Sequence, residues 1–378
     1  MSEQIGIGQL GYGSIGKVHT LAYRSIPFYY PGALPEIRSV AVCTTNAQSA
    51  AKAAREGGFA RAYTSVDELI ADPDVTVIDC SLPNFAHKSA IRAALDAGKH
   101  IYCEKPLCVD MDEAREIAAA AEHSRAHVGM TFDYRFIPAI ARAKQLIKEG
   151  ALGEIYNFQF NYLHTGYQDD SRPLSWRTRK ELSGGGALFD LGSHVIDLAR
   201  YLIADFAQVF ATTRTFVGSR PIGPGSQEKG PVTVDDAVWM QARLADGSMG
   251  TIEVSRFATG SLDDLTMRIE GKRGALKFDL MDANWLYFYN AARTDAAAGA
   301  GWTRLETAAS FPGAQIPPAR SILGWTRMHA ENQYRFLRSI AAGSEPEPGL
   351  ADGYAAQLVM ESAYESAASG SWVPIPRV

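Results

Sequence analysis

Short apolar runs alternate with amphipathic stretches of helical period along the first third of the chain. Ile5–Leu10, Ile37–Cys43, Val75–Cys80, His100–Cys103 and Val128–Phe132 read as strands, and the stretches between them, Met111–Ser124 included, as helices. Ser65-Val66-Asp67-Glu68 has the spacing of a capping box, and Asp72-Pro73-Asp74 turns the chain into the next strand. This alternation predicts parallel strands with crossover helices and ligands at the strands' carboxyl ends. Near residue 130 the period changes. Past Asp133-Tyr134-Arg135-Phe136 and a helix over Pro138–Glu149, alternation with period two predicts strands near 154–163, 206–216, 236–243, 249–256, 264–270, 275–279 and 285–289. Turns such as Ala245-Asp246-Gly247-Ser248 make that sheet mostly antiparallel. Two late helices, Arg327–Ala341 and Leu350–Ser369, close the chain.

The first strand runs into Gly11-Tyr12-Gly13-Ser14-Ile15-Gly16 and then into a helix. In that context the first glycine allows a tight turn, the second lets backbone approach a pyrophosphate, and the third lets helix pack on strand. The expectation is an α/β chain. Its first domain, 1–130, is a Rossmann dinucleotide-binding domain; its second, 131–378, is an α+β domain with an open, mostly antiparallel sheet. A C-terminal helix is free to pack back on the first domain. An open sheet with one uncovered apolar face suggests a homo-oligomer, dimer or tetramer.

Composition narrows the partners. With 37 basic and 42 acidic residues well mixed and a net charge of −5, no basic stripe recommends nucleic acid or an anionic membrane. Cys43, Cys80, Cys103 and Cys108 match no zinc or disulfide spacing, and no metal is expected. The N-terminus lacks a signal-peptide pattern and no run approaches membrane length, so a cytoplasmic location is expected.

Ionisable groups concentrate in one predicted helix of the second domain. Leu188, Leu191, Val195, Leu198 and Leu202 form an apolar stripe, while Asp190, His194 and Asp197 share another face. Acid–base chemistry, a metal pair, and a satisfied core histidine all fit that pattern; no further Cys or His completes a metal set. The triplet Gly184-Gly185-Gly186 before it lets backbone come close to something, expected to be a ligand. In the first domain, the second strand ends in Thr44-Thr45-Asn46, with no acid for ribose hydroxyls and no adjacent arginine for a 2′-phosphate, so NAD and NADP both stay open. Lys105, before a proline, leaves the sheet on an extended segment toward the cofactor side.

Taken in order, Gly11 to Gly16, Pro83-Asn84-Phe85-Ala86-His87, Glu104-Lys105-Pro106, Tyr134-Arg135-Phe136 and Asp190 with His194 resemble the Gfo/Idh/MocA oxidoreductase family over essentially the whole chain. Phe28-Tyr29-Tyr30-Pro31, Trp176-Arg177 with the glycine triplet, and Ser255-Arg256-Phe257-Ala258 look most like its levoglucosan-dehydrogenase-like and glycoside 3-dehydrogenase members, with inositol dehydrogenases close behind. Departures are Ser81-Leu82 where threonine is common, Asp133 where asparagine is common, and the missing acid after the second strand.

The resemblance implies NAD as cofactor, with NADP open. It places Gly11, Tyr12, Gly13, Ser14, Ile15, Gly16, Thr44, Thr45, Asn46, Ser81, Leu82, Pro83, Asn84, His87, Glu104, Lys105 and Arg135 along it. It also implies a catalytic set of Lys105, Asp190 and His194 acting on a secondary hydroxyl of a sugar, anhydrosugar, glycoside or cyclitol. An imidazole with an ordinary pKa near 6.5 suits the base, and a lysine cation suits a developing alkoxide. A polyol needs donors, acceptors and a flat wall, for which Tyr134, Tyr162, His164, Trp176 and Arg177 are candidates, with Asp197 and Trp325 behind them. Rival readings are a glycosidase using bound NAD, which Lys105-Pro106 argues against, and a redox-silent nicotinamide sensor.

Overall fold

The computed structural model describes residues 4–291, 301–308, 311–318 and 320–376. The chain divides into two compact units, the first of residues 1–133, 311–318 and 324–354 and the second of the remainder.

The first unit holds β1 (Gln4–Leu10), α1 (Ser14–Tyr29), β2 (Glu36–Cys43), α2 (Ala47–Gly57), β3 (Arg61–Tyr63), α3 (Val66–Ala71), β4 (Val77–Cys80), α4 (His87–Asp96), β5 (His100–Cys103), α5 (Met111–Glu122) and β6 (Val128–Met130). The sheet order is β3-β2-β1-β4-β5-β6, every pair parallel. Order reverses between β1 and β4, and a doubly wound sheet opens its ligand crevice at such a point. Ile7, Leu10, Val77, Ile78, Ile101 and Tyr102 are buried because helices cover both faces of a parallel sheet. All four cysteines are buried thiols outside any disulfide.

The second unit holds α6 (Pro138–Lys148), β7 (Ile155–Leu163), α7 (Lys180–Ser183), α8 (Ser193–Leu202), β8 (Phe206–Arg214), β9 (Ser219–Pro221), β10 (Lys229–Pro231), β11 (Ala237–Leu244), β12 (Met249–Ser255), β13 (Asp264–Gly271), β14 (Gly274–Asp279), β15 (Trp285–Asn290) and β16 (Trp302–Glu306). Then come α9 (Trp325–Ala342), which rejoins the first unit against α1, α10 (Leu350–Ser369), and β17 (Val373–Pro374). The large sheet runs β16-β15-β14-β13-β7-β12-β11-β8-β17, and only β7 and β12 pair parallel. Among the described residues no helix is long and apolar enough to cross a membrane.

Strand alternation sets the two faces of this sheet. Phe158, Phe160 and Tyr162 are buried on the side where α8 packs, and Gln159 and Asn161 stand on the other. That other face is mixed rather than apolar. Thr251, Glu253, Thr266 and Arg268 share it with Trp239 and Met249, in register across neighbouring strands. Tyr287 and Trp302 extend the same face, so apolar and polar side chains are interleaved across it.

The helix expected over Leu188–Leu202 begins as a π-turn, Leu188–Gly192, and becomes α-helix at Ser193. Its start explains the glycine triplet differently from the sequence. A Cβ on Gly186 would collide with the backbone carbonyl of Asp235, and one on Gly185 with the Tyr364 hydroxyl. The close neighbour is the protein's own chain, not a ligand. The Asp235 carboxylate accepts from the N–H groups of Gly186 and Leu188, both at 2.9 Å, and so satisfies amides that a helix start leaves open. At Gly13 the situation is the reverse, since a Cβ there meets nothing within 4 Å. Overpacking costs about 1–3 kcal/mol, so Gly186→Ala is expected to lower the melting temperature by about 2–6 °C while Gly13→Ala moves it by less than about 1 °C, read by circular dichroism. Equal shifts would contradict the packing assigned to the triplet.

Candidate active site

The crevice in the first unit starts at Gly11, whose φ of +84° is open to glycine at little strain. Its N–H donates to the Cys43 carbonyl at 3.0 Å, and the chain then enters α1 at Ser14. Gly13 stands at the N-cap with no side-chain cap, and the first turn carries no acid. Helix-start amides are thus left for an anion, and the residues fit a dinucleotide pyrophosphate. A Cβ on Gly16 would lie 2.5 Å from the Gly11 carbonyl oxygen, which is why the third glycine is needed. The Ser81 hydroxyl secures this turn, lying 3.1 Å from the Leu10 carbonyl and 3.2 Å from that of Gly11. Tyr12 flanks it, edge-on to Phe59. Past β2, the Asn46 side chain caps α2 by accepting from the Ser49 N–H at 2.9 Å, and the Thr44 hydroxyl meets that of Ser49 at 2.6 Å. The Asn46 amide oxygen is thus used by the helix cap.

Pro83 and the short turn Asn84–Ala86 follow β4. His87 does not reach outward from this loop. It is fully buried, with Nδ1 2.9 Å from the Pro106 carbonyl and Nε2 2.9 Å from the Leu82 carbonyl, and burial pushes its pKa down. Expected as a cofactor contact, it instead ties the loop after β4 to the loop after β5. Donor atoms of Cys80, His87 and Cys103 lie within 4.8 Å of one another. Turning the ring to a metal would cost both carbonyl contacts.

Glu104 and Lys105 leave β5 together. The Glu104 N–H donates to the Cys80 carbonyl at 2.9 Å, and one carboxylate oxygen accepts from the Lys105 N–H at 3.2 Å. The other lies 3.2 Å from Nε2 of the buried His19. Burial alone would raise the Glu104 carboxyl, but the His19 hydrogen bond and charge, with Lys105 behind them, hold it down at about 2. The Lys105–Pro106 peptide is cis.

In the second unit Asp190 sits on the π-turn, a feature that is common at functional sites, and His194 follows in the first turn of α8. Arg256, almost wholly buried, donates to the Asp190 carboxylate at 3.0 Å, and its guanidinium lies 4.4 Å from the centre of the Tyr167 ring. The His194 ring packs on Tyr134 and Tyr162, with centroids 4.6 and 6.0 Å away. From there a polar chain runs outward. The hydroxyls of Tyr134 and Tyr162 meet at 2.5 Å, Tyr162 donates to Asp263 at 2.7 Å, and Asp263 lies 2.9 Å from Nε2 of His164. Burial alone would raise the Asp263 carboxyl, but those donors hold it below the usual range. Arg177 stacks over Trp176 at 4.2 Å.

Arg135 goes elsewhere, and Trp325 lies in the first unit. Arg135, placed at the cofactor by the resemblance, is buried and bidentate to Asp197, at 2.8 and 2.5 Å. A desolvated fork of this kind locks the start of α6 to α8, and removes both side chains from the candidate ligand groups. Trp325 belongs to the first unit, packed edge-on against His329. Conversely, no site role attaches to His19, Arg256 or Asp263 from the sequence, where Arg256 enters only as part of Ser255-Arg256-Phe257-Ala258. A histidine within the apolar face of α1 and an arginine ending an apolar strand were visible signals for the first two. Asp263, in a polar turn, offered none.

Comparisons with known proteins follow the same lines. Residues 5–132 match the oxidoreductase family with an NAD-binding Rossmann fold, and residues 140–277 match the Gfo/Idh/MocA C-terminal domain. A levoglucosan dehydrogenase from Pseudarthrobacter phenanthrenivorans is 35% identical over 100% of this chain and 99% of its own length. An inositol 2-dehydrogenase from Rhizobium meliloti is 25% identical over 98% of this chain and 99% of its own. Among solved structures, a levoglucosan dehydrogenase in complex with NADH and levoglucosan matches with a TM-score of 0.93 at 36% identity, over 99% of this chain and 100% of that one. A glycine turn shaped for a pyrophosphate and an Asp190–His194 pair beside a large mixed sheet thus accompany matches in both domains, and the chain belongs to the Gfo/Idh/MocA family of oxidoreductases.

Proposed function

We propose that this oxidoreductase moves a hydride between NAD and a secondary hydroxyl carbon of a pyranose-type sugar, with 1,6-anhydrosugars such as levoglucosan the favoured class. Full-length similarity to levoglucosan dehydrogenase supports the class. The observation that carries the reading is the polar surround of His194. Arg256-bound Asp190 lies on the same helical segment, and the Tyr134–Tyr162–Asp263–His164 chain packs against the imidazole. Such an array suits a ligand with many hydroxyls and little apolar surface.

Bound at the glycine turn, NAD supplies the hydride acceptor. His194 takes the hydroxyl proton as the carbinol C–H is lost, and returns one in the reverse direction. Asp190 accepts a hydrogen bond from the reacting or neighbouring hydroxyl, and Arg256 fixes that carboxylate without spending a second protein rotor. Lys105 supplies a fixed cation to the oxygen as negative charge develops on it. Tyr162, His164 and Asp263 read the remaining hydroxyls, and Trp176, stiffened by Arg177, gives the flat wall.

The test is nicotinamide absorbance on mixing NAD⁺ or NADP⁺ with a panel of anhydrosugars, hexoses, glycosides and inositols. Turnover with NAD⁺ and an anhydrosugar is expected. Lys105→Met and His194→Gln should each lower kcat by about a hundredfold or more while leaving the NADH Kd within about threefold. Turnover unchanged in both variants would remove the assigned roles. Glycoside cleavage without net NADH would instead favour a hydrolase that uses bound NAD.

A further inference from the structure

A cluster of ionisable groups lies wholly inside the first unit, beneath the segment that bears Lys105, and none of it has a part in the chemistry above. His19 projects from α1 and is 0% exposed. Its Nδ1 lies 2.9 and 3.1 Å from the two oxygens of Asp79 on β4, and its Nε2 lies 3.2 Å from Glu104 at the end of β5. Other elements complete the shell. From β1, Gln9 donates to Asp79 at 2.7 Å, and from α9, Gln333 reaches the same carboxylate at 3.5 Å. Tyr102 on β5 and His329 on α9 pack on the His19 ring with centroids at 5.4 and 5.8 Å. Asp133 lies 3.2 Å from Nε2 of His329, and Tyr23 on α1 is buried near Asp79.

We propose that His19 is a positioning residue for Lys105: gripped by Asp79, its imidazole holds the Glu104 side chain and so fixes the backbone from which Lys105 extends. This rests on the reading of Lys105 as the catalytic cation. Three features of the geometry support it. Glu104 still donates its N–H to Cys80 as a continuation of the β5 ladder, so its backbone is fixed at the point where the chain bends at Lys105. The Lys105 N–H is itself held by the other oxygen of that carboxylate, so one anchored group fixes both residues.

The third feature is competition. A buried carboxylate needs a partner, and besides His19 the cations whose fields hold Glu104 down are Lys105 and His329. Without His19 the carboxylate is released toward Lys105, which would take that ammonium from the sugar oxygen. Although burial alone would push the His19 imidazole down, Asp79 and Glu104 raise it to about 10, which favours opposite charges across the 3.2 Å contact with Glu104 at neutral pH. On the far side of Lys105, His87 holds the Pro106 carbonyl at 2.9 Å. The lysine thus stands between two buried histidine anchors.

The experiment is a double-mutant cycle of His19→Gln with Lys105→Met, read as single-turnover hydride transfer, with NADH binding measured alongside. His19→Gln is expected to slow hydride transfer at least about tenfold in the otherwise native chain but less than about threefold in the Lys105→Met background, because an effect exerted through Lys105 vanishes with it. The NADH Kd should stay within about threefold in both. Equal slowing in the two backgrounds would overturn the positioning role and leave His19 a purely structural group. If Lys105→Met alone leaves hydride transfer unchanged, the catalytic reading of Lys105 fails and the role of His19 goes with it. Should His19→Gln not fold, Glu104→Gln takes its place in the same cycle, with the same two outcomes.

Discussion

An imidazole buried between two carboxylates is the constraint around which the first unit is built. His19 comes from α1, Asp79 from β4 and Glu104 from the residue after β5, so one cluster of charge joins the helix of the nucleotide turn to two adjacent strands of the sheet. Buried charges are tolerated only when paired and hydrogen-bonded, and removing one partner strands the others. Gln9 and Gln333 supply the remaining donors to Asp79. The reach of Gln333 explains why α9, almost at the end of the chain, belongs with this unit. Its buried residues mix the polar Arg327, His329, Glu331, Asn332 and Gln333 with Met328, Tyr334, Phe336 and Leu337, the last three packed in the apolar cluster of Ile5, Ile7, Tyr23 and Ile26. Arg327 and Tyr30 both hold Glu331, and the Tyr30 ring stacks on Tyr334 at 3.7 Å.

The second unit solves a related problem with different pairs. A π-turn leaves amides and carbonyls out of the usual ladder, and here the Asp235 carboxylate and Tyr364 hydroxyl close around its start. Arg135 with Asp197 and Arg256 with Asp190 then place two guanidinium groups on the same helical segment. The first pair is sealed at 3% and 1% exposure, whereas Asp190 keeps 33% of its side chain open. Of the two carboxylates, only Asp190 is open at the surface of its unit.

Much of this was legible in the sequence, for physical reasons that also mark where legibility ended. Parallel strands buried on both faces read as apolar runs, and the glycine turn between β1 and α1 has a fixed spacing, so the Rossmann unit could be read almost element by element. The short edge strand β3 and the strands β9, β10, β16 and β17 carry too few residues or too mixed a pattern to stand out. A glycine triplet says that something comes close but not what. Here it is the chain at Asp235. Ideal helical spacing put Asp190, His194 and Asp197 on one face, but the π-turn shifts the register, and Asp197 turns to Arg135. Asp263 was beyond reach because nothing local distinguishes a carboxylate in a surface turn from one that receives Tyr162 and His164 across the fold.

Direct passage of a carbinol hydrogen of the sugar to the nicotinamide is tested most directly by mass spectrometry of NADH formed from NAD⁺ and a perdeuterated anhydrosugar. Direct transfer predicts NADH heavier by one deuterium, in water of natural abundance. Unlabelled NADH, or consumption of sugar with no reduced nicotinamide at all, would contradict it.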